Sequence, residues 1–257
     1  MLLAIDIGNT NIAVGVFRDK VLEKNWRVRT ERDKTCDEYG ITFSNLFSFS
    51  GLKISEVDSV IFSSVVPPLT PVFQKLSRDV FGIRPMVVGP GLKTGMPILY
   101  ENPLEVGADR VVASVAAFHK FGGPCIVVDF GTATTFDVVS EQGEYMGGAI
   151  APGIQIAAEA LYLKTAKLPR IEIRKPAKAI GRTTVASMQS GLYFGYMGLL
   201  SNVIEEITRE MSRKPKVVST GGYAAQIFRE IEAVEYHEPH LVLEGLRILF
   251  EKNRETG

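Results

Sequence analysis

The same short pattern occurs twice in this chain of 257 residues, about half the chain apart. Each copy has an apolar run, then Asp, one spacer residue, Gly and polar turn residues, and then a second apolar run. The first copy spans residues 1–17 and the second spans residues 125–139. Because each copy has the pattern of a strand, a turn and another strand, the repeat predicts a chain built from two similar halves.

The residues of the repeat suit phosphate groups. Gly lets the backbone approach a ligand closely, and Thr, Asn and turn N–H groups can hydrogen-bond phosphate oxygens. Asp6 and Asp129 end their apolar runs, where a carboxylate can hold Mg²⁺ or a monovalent cation. Neither 6–13 nor 129–137 contains Lys or Arg, so these are not Walker A loops. A bound triphosphate would need cations, or basic residues from elsewhere, to neutralise it.

A single Asp-x-Gly between apolar runs is most often a hairpin turn. Two copies in matching context favour a nucleotide site, and they resemble the phosphate 1 and phosphate 2 motifs of the acetate and sugar kinase, Hsp70 and actin superfamily. Residues 219–222, which follow Val217 and Val218, resemble its adenosine motif. The resemblance implies an α/β fold with two similar RNase H-like (βββαβα) domains that face an interdomain nucleotide cleft.

Composition limits the function classes. The chain is 46% hydrophobic, enough for a sizeable core, and its 29 basic and 29 acidic residues form no basic stripe, so nucleic acid is not the expected partner. Cys36 and Cys125 have no disulfide-framework spacing and are expected to be reduced. No export signal or membrane-spanning segment is recognisable, which predicts a soluble cytoplasmic protein without a membrane partner.

Apolar periodicity and turn residues predict the secondary structure of both halves. The predicted domains are 1–115 and 116–257, with a helix over 105–120 bridging them. The first half is predicted to have strands over 2–6, 11–17, 21–29, 57–63 and 86–88, and helices over 35–50 and 69–81. The second is predicted to have strands over 124–129, 134–140, 144–150, 216–220 and 232–236, and helices over 153–163, 183–212, 222–230 and 240–253.

Residues 100–110 are the most specific part of the sequence. Asp109 and Arg110 follow Gly107 at the start of an apolar helix. Helix N-terminal N–H groups favour anions, Arg can bind a carboxylate through two hydrogen bonds, and Asp109 can accept a hydroxyl proton. The pattern therefore suits a small anionic alcohol. The alternative is a solvated Asp–Arg pair near a helix N-terminus, which is common on protein surfaces.

The whole chain resembles a type III pantothenate kinase. The matching segments come in family order and cover essentially the full length: 6–11, 63–67, 100–110, 129–135, 147–153, 180–184 and 220–222. The Gly-x-Asp-Arg element of 107–110 and the Gly-Gly-x-Ile-x-Pro-Gly element of 147–153 distinguish this family within the superfamily. The resemblance implies ATP-dependent phosphorylation of pantothenate to 4'-phosphopantothenate, the first step of coenzyme A biosynthesis, by a homodimer.

The resemblance also implies a role for individual residues. Asp109 would be the general base, and Asp129 would hold a monovalent cation, K⁺ or NH₄⁺. Asp6 would place Mg²⁺ through the ATP phosphates. The implied ATP-binding residues are Asp6, Ile7, Gly8, Asn9, Thr10, Asn11, Ile12, Ala13 and Thr132. The implied pantothenate-binding residues are Tyr100, Gly107, Ala108, Asp109, Arg110 and, from the partner subunit, Thr184.

Two other functions remain open on the residues alone. One is a kinase of the same superfamily that acts on another small hydroxy acid, which only 100–110 and Thr184 argue against. The other is a nucleotide-dependent regulatory or assembly protein, although the chain is short for the extra subdomains of actin. His237 and His240 have a metal-like spacing but no third ligand, and a loop is the better interpretation.

Overall fold

The computed structural model describes residues 1–222 and 231–254, and the chain divides into two compact units. The first unit contains residues 1–120 together with the C-terminal segment that begins at His240. The second unit contains Phe121–Pro239. Each unit has a five-stranded sheet with helices packed on it, so the predicted α/β fold with two similar halves is confirmed.

The sheet of the first unit has the order β3-β2-β1-β4-β5. Strand β1 is antiparallel to β2 and parallel to β4, and β5 is parallel to β4. The strands are β1 (Leu2–Ile7), β2 (Asn11–Arg18), β3 (Val21–Arg29), β4 (Ser59–Ser64) and β5 (Met86–Val87). The helices are α1 (Cys36–Phe49), α2 (Leu69–Phe81), α3 (Ala108–Phe121) and, from the chain end, α6 (Leu241–Arg254).

The sheet of the second unit repeats this plan. Its order is β8-β7-β6-β9-β10, with β6 antiparallel to β7 and parallel to β9. The strands are β6 (Cys125–Phe130), β7 (Ala133–Val139), β8 (Tyr145–Pro152), β9 (Lys216–Thr220) and β10 (Tyr236–His237), and the helices are α4 (Ile154–Lys164) and α5 (Thr184–Glu210). Strand for strand, both units have the same order and the same directions, as the repeated sequence pattern predicts.

Capping and buried aromatic side chains define the helical side of the first unit. Thr35 caps α1, because its hydroxyl accepts from the Glu38 N–H while the Glu38 carboxylate accepts from the Thr35 N–H. Inside the core, Tyr39 and Phe43 of α1 lie 4.9 Å and 6.0 Å from the ring of Phe73 in α2, measured between centroids. These contacts bury the inner faces of both helices.

The core of the second unit lies between its sheet and α5. Phe130 and Phe136 of the sheet are buried against Tyr196 and Leu200 of α5. Cys125 is fully buried in β6, and Cys36 is buried at the start of α1, so both cysteines are free, as expected. Burial raises the pKa of the Cys125 thiol to about 12, which makes it inert at neutral pH.

Two elements differ from the sequence-based expectations. The strand predicted over 232–236 is shorter and later, because Val234 N–H closes a turn on the Ile231 carbonyl before pairing begins. The last helix, α6, packs on β1, β2 and β4, whereas the predicted domain 116–257 groups it with the second half. Gly245 permits this packing, since a Cβ there would lie 2.2 Å from the Val112 carbonyl oxygen of α3. The helix predicted over 222–230 lies outside the described residues.

Within residues 1–222 and 231–254, no helix is both long enough and apolar enough to cross a bilayer.

Candidate active site

The first Asp-x-Gly loop connects β1 to β2. Asp6 is the fifth residue of β1, and its Oδ1 accepts a hydrogen bond of 2.7 Å from the Ser63 hydroxyl of β4. The Gly8 N–H closes the loop on the Asn11 carbonyl at 3.1 Å, and a Cβ at Gly8 would lie 2.9 Å from that oxygen. The loop therefore needs glycine at residue 8, and it presents a strand-end carboxylate beside a hydroxyl.

The remaining residues of 6–13 divide into two groups. The side chains of Ile7 and Ile12 are completely buried and pair with each other across the β1–β2 ladder, so only their main-chain atoms can serve a ligand. Asn9, Thr10 and Asn11 are exposed at the turn. The polar groups predicted to bind phosphate therefore lie at the surface, with apolar side chains anchoring the loop beneath them.

A segment that the sequence did not single out fastens this loop. Thr30 follows β3, and its N–H donates to the Thr10 carbonyl at 3.0 Å while its hydroxyl donates to the Gly8 carbonyl at 2.7 Å. Two residues later, Arg32 Nη2 donates to Asn9 Oδ1 at 3.1 Å. The sequence contained a signal for this contact. If β2 and β3 pair as a hairpin, Arg29 lies opposite Asn11, and residues 30–32 then lie alongside the loop.

The Asp109 carboxyl lies in the first turn of α3. Its Oδ1 accepts from the Arg110 N–H at 2.9 Å, and a Cβ at Gly107 would lie 2.5 Å from the same oxygen. Burial raises the pKa of Asp109, and the N–H and charge of Arg110 oppose that rise. The result is a partly enclosed, basic carboxylate, which differs from the freely solvated Asp–Arg pair that the sequence left open.

Asp109 lies on the same side of the first unit as the Asp-x-Gly loop. Val65 follows β4, and its N–H donates to the Ile7 carbonyl at 3.0 Å. The Cγ1 of Val65 also lies 3.7 Å from the Cβ position of Gly107. Val65 therefore links the end of β1 to the start of α3. Of the other residues predicted for this site, Ala108 begins α3, and Tyr100 and Arg110 are partly exposed.

The second Asp-x-Gly loop connects β6 to β7 and is one residue shorter. Its Gly131 N–H donates to the Ala133 carbonyl at 3.1 Å. Gly221, with a φ of +96°, lies so close to Asp129 that a Cβ there would be 2.3 Å from the Asp129 Oδ1. The Gly153 N–H donates to the Thr132 carbonyl at 3.2 Å. The structure therefore brings Asp129 and Thr132 together with the glycines of two later motifs.

A buried tyrosine lies near Asp129. Tyr196 of α5 shares a short hydrogen bond with the Thr134 hydroxyl. Burial raises the pKa of Tyr196, and the negative charge of Asp129 raises it further. Thr184, the remaining predicted substrate residue, is exposed at the start of α5, which Thr183 caps by accepting from the Ala186 N–H at 3.1 Å.

The described residues contain no group of three or more His, Cys, Asp and Glu side chains arranged to hold a metal ion. His237 instead has its Nδ1 3.1 Å from the Ser219 hydroxyl in the second sheet. Among the described residues, a cation at either strand end would therefore need hydroxyls, phosphates or water as ligands in addition to carboxylate oxygen. Asp6 beside Ser63 fits such a hard, oxygen-ligated ion.

Solved structures of other proteins share this fold. An inorganic polyphosphate/ATP-glucomannokinase from Arthrobacter sp. strain KM aligns with a TM-score of 0.51 at 15% identity, covering 98% of each chain. MreB 5 of Spiroplasma citri, solved with AMPPNP, aligns with a TM-score of 0.54 at 11% identity, covering 100% of this chain and 98% of that one. The architecture is therefore the mixed α/β fold of sugar kinases and actin-like proteins.

Sequence comparison narrows this class to one family. The family model described as type III pantothenate kinase matches residues 2–206. A type III pantothenate kinase of Geobacter sulfurreducens is 53% identical over 255 residues, which is 99% of this chain and 100% of that protein. The chain belongs to the type III pantothenate kinase family, as its motifs predict.

Proposed function

We propose that this chain transfers the γ-phosphoryl group of ATP to the primary hydroxyl of pantothenate, which yields 4'-phosphopantothenate for coenzyme A biosynthesis. Family membership supports both the reaction and its two substrates. The observation that carries the chemistry is the Asp109 carboxyl, which is enclosed at the start of α3 and linked through Val65 to the end of β1.

Asp109 is the general base in this proposal. The hydroxyl oxygen of pantothenate attacks the γ-phosphorus, its proton passes to the Asp109 carboxylate, and ADP leaves with the β–γ bridging oxygen. A carboxylate whose pKa is raised by burial accepts a proton more readily than an exposed one. The Arg110 N–H at 2.9 Å holds the Oδ1 of Asp109 in place and so orients the carboxylate for this step.

The pantothenate carboxylate needs a cationic partner, and Arg110 is the residue we assign. Its guanidinium can form two parallel hydrogen bonds with a carboxylate. The first turn of α3, which begins at Ala108, adds the positive end of a helix dipole. Tyr100, Gly107 and, from the partner subunit, Thr184 complete the proposed pocket.

We assign ATP binding to residues 6–13 of the first Asp-x-Gly loop and to Thr132 of the second. The hydroxyl and amide groups at the exposed turn of residues 9–11 suit phosphate oxygens, and the closed Gly8 and Gly131 turns let the backbone approach them. Asp6 would position Mg²⁺, which neutralises phosphate charge and draws electron density from the transferring group.

Asp129 is the proposed ligand of a monovalent cation, K⁺ or NH₄⁺. It occupies the strand position that Asp6 occupies in the first sheet, as the pairing of Asp129 with Thr220 and of Asp6 with Ser63 indicates. A second cation near the phosphates would stabilise the transition state where the second loop has no basic residue.

The enzyme is proposed to act as a cytoplasmic homodimer. Exposed apolar side chains on α5 support a subunit contact there, since Val185 is 42% exposed and Phe194 is 41% exposed. Thr184 lies one residue from Val185, so such a contact would bring the partner's Thr184 into the interface region.

The decisive experiment measures ADP formation by the purified protein with pantothenate and a panel of other small hydroxy acids. Each reaction is run in Na⁺ buffer and in K⁺ buffer, and the molecular mass is measured in solution. We expect ADP release only with pantothenate, faster in K⁺ than in Na⁺, from a dimer. Preferred turnover of another hydroxy acid would overturn the substrate assignment, and ADP release that needs no acceptor would overturn the kinase assignment.

A further inference from the structure

A basic side chain reaches the first Asp-x-Gly loop from outside it. We propose that Arg32 supplies the positive charge that this loop lacks and binds an oxygen of a terminal phosphate of the nucleotide. The inference rests on the proposed function insofar as residues 6–13 bind ATP phosphates. It adds a residue that lies well beyond the loop in sequence and that none of the family-like motifs contains.

The position of Arg32 follows from the hairpin of β2 and β3. Thr30 forms two hydrogen bonds to the loop, one from its N–H to the Thr10 carbonyl and one from its hydroxyl to the Gly8 carbonyl. The chain two residues later is therefore held alongside the turn, where Arg32 Nη2 reaches Asn9 Oδ1 at 3.1 Å. The guanidinium is thus fixed against a residue of the phosphate loop.

The other end of this segment is fastened as well. Tyr39 of α1 brackets Glu31, because its hydroxyl accepts from the Glu31 N–H at 3.1 Å and donates to the Glu31 carbonyl at 3.0 Å. The Thr35–Glu38 capping box then fixes the start of α1. Since both ends are tied to regular structure, Arg32 sits on a short, well-supported segment, which lowers the entropy lost when it binds a ligand.

Two acidic side chains near Arg32 have other partners, so its guanidinium can bind an anionic ligand. Lys34 pairs with Glu31 at 3.3 Å, and Glu38 is engaged in the cap of α1. Within residues 1–222 and 231–254, Arg32 makes no ion pair, and its hydrogen bond is to the neutral amide of Asn9. Arg29 and Asp33 carry the remaining charges of the segment, and they are opposite in sign.

The segment borders an open hollow of about 500 Å³, lined by residues 29–34 and Glu38. Its lining brings three basic side chains together with the carboxylates of Glu31, Asp33 and Glu38. A guanidinium has five N–H donors in a planar fork, and the bond to Asn9 uses one. The remaining donors suit the paired oxygens of a phosphate, which Arg binds through two parallel hydrogen bonds.

The test compares Arg32→Gln with Arg84→Gln, which removes the same charge from the same unit. Arg84 precedes β5, which runs parallel to β4 and β1, so it lies at the opposite end of the strands from Gly8. Calorimetry with MgATP and with AMP measures the affinity of wild type and both variants. Thermal unfolding checks that each variant is folded.

We expect Arg32→Gln to weaken MgATP binding by about 10- to 100-fold, the usual effect of losing a charge-assisted hydrogen bond. AMP binding should change by less than about threefold, since AMP lacks the terminal phosphates, and Arg84→Gln should match wild type for both ligands. Arg32→Lys should recover part of the MgATP affinity because it restores the charge without the fork.

Two results would overturn the proposal. One is an Arg32→Gln variant that binds MgATP as tightly as wild type, and the other is an equal loss for MgATP and AMP, which would mean that Arg32 only supports the loop. The assay is independent of the acceptor substrate. Wild-type protein that binds MgATP but does not phosphorylate pantothenate would therefore refute the proposed function and leave this inference standing.

Discussion

The two Asp-x-Gly loops share a backbone plan and differ in the side chains that surround it. In both units the residue after the third strand bonds the loop: Thr30 N–H donates to Thr10, and Gly153 N–H donates to Thr132. In the first unit that segment also contributes the Thr30 hydroxyl and the Arg32 guanidinium. In the second unit the corresponding residue is Gly153, where a Cβ would lie 2.3 Å from the Thr132 oxygen.

This difference separates the proposed tasks of the two units. The first loop has a positive group on its rim and the Asp109 carboxyl on the same side of its sheet, which suits phosphate binding and proton transfer. The second loop packs glycine backbone against Asp129, the carboxylate that we propose as the cation ligand. A duplicated backbone can thus acquire different chemistry through a few side chains.

The largest expected effect is the loss of turnover when Asp109 is replaced, because we propose that only the first unit takes part in proton transfer. Asp109→Asn should lower kcat by about 10²- to 10⁴-fold, the usual cost of losing a general base. The KM for pantothenate should change far less, since the amide keeps the size of the carboxyl. Steady-state kinetics measures both constants, and turnover close to wild type would exclude Asp109 as the base.

Asp6 tests the phosphate role of the first loop. Asp6→Asn should impair the use of MgATP by on the order of 10²-fold, because the amide no longer attracts the metal that neutralises the phosphates. Pantothenate binding should be nearly unchanged. Ser63→Ala removes the 2.7 Å hydrogen bond to Asp6 but keeps the charge, so it should impair the use of MgATP less than Asp6→Asn does. Unchanged MgATP affinity in Asp6→Asn would contradict the assignment.

Asp129 tests the cation role of the second loop. Wild type should turn over faster in K⁺ or NH₄⁺ than in Na⁺, and Asp129→Ala should abolish that difference, because the variant removes the carboxylate ligand. Steady-state rates in the three salts at equal ionic strength provide the measurement. Equal wild-type rates in Na⁺ and K⁺ would contradict the cation requirement. A K⁺ response retained by Asp129→Ala would show that Asp129 is not the cation ligand.

Gly153 tests the backbone packing that distinguishes the second loop. Gly153→Ala should lower the free energy of unfolding by about 1–3 kcal/mol, because its Cβ would meet the carbonyl oxygens of Thr132 and Gly131 at 2.3 Å and 2.7 Å. Gly89→Ala is the control, since a Cβ there has no atom within 4 Å and should be neutral or slightly stabilising. Urea denaturation gives both values, and equal stability would contradict the close packing.

The last expected effect is on the pH profile of the unmodified protein. Burial raises the pKa of Asp109, so its carboxylate is protonated at a higher pH on acidification than that of an exposed Asp. The kcat/KM for pantothenate should therefore fall on the acid side, approaching tenfold per pH unit below that pKa. The same limb should disappear in the residual activity of Asp109→Asn. A profile that stays flat well below neutral pH would argue against a perturbed base.

Local pattern was enough for most of the fold. Strands β1, β2, β6 and β7 were predicted because apolar runs flank each Asp-x-Gly, and the same pattern placed Asp6 and Asp129 near the ends of strands. The position of α6 on the first sheet was not predictable from its own sequence, since an amphipathic helix can pack on either unit. Its contact with α3 depends on Gly245 opposite Val112, two residues far apart in the chain.

The sequence by itself determined the duplication, the strand-end carboxylates and the family, because these depend on residue type and spacing along the chain. Only the tertiary structure decided how basic Asp109 is, since burial sets that property. It also decided which basic side chain reaches the first loop. Arg32 meets Asn9 because β2 and β3 pair and Thr30 fastens the following segment, and such long-range hydrogen bonds leave no pattern in the neighbouring residues.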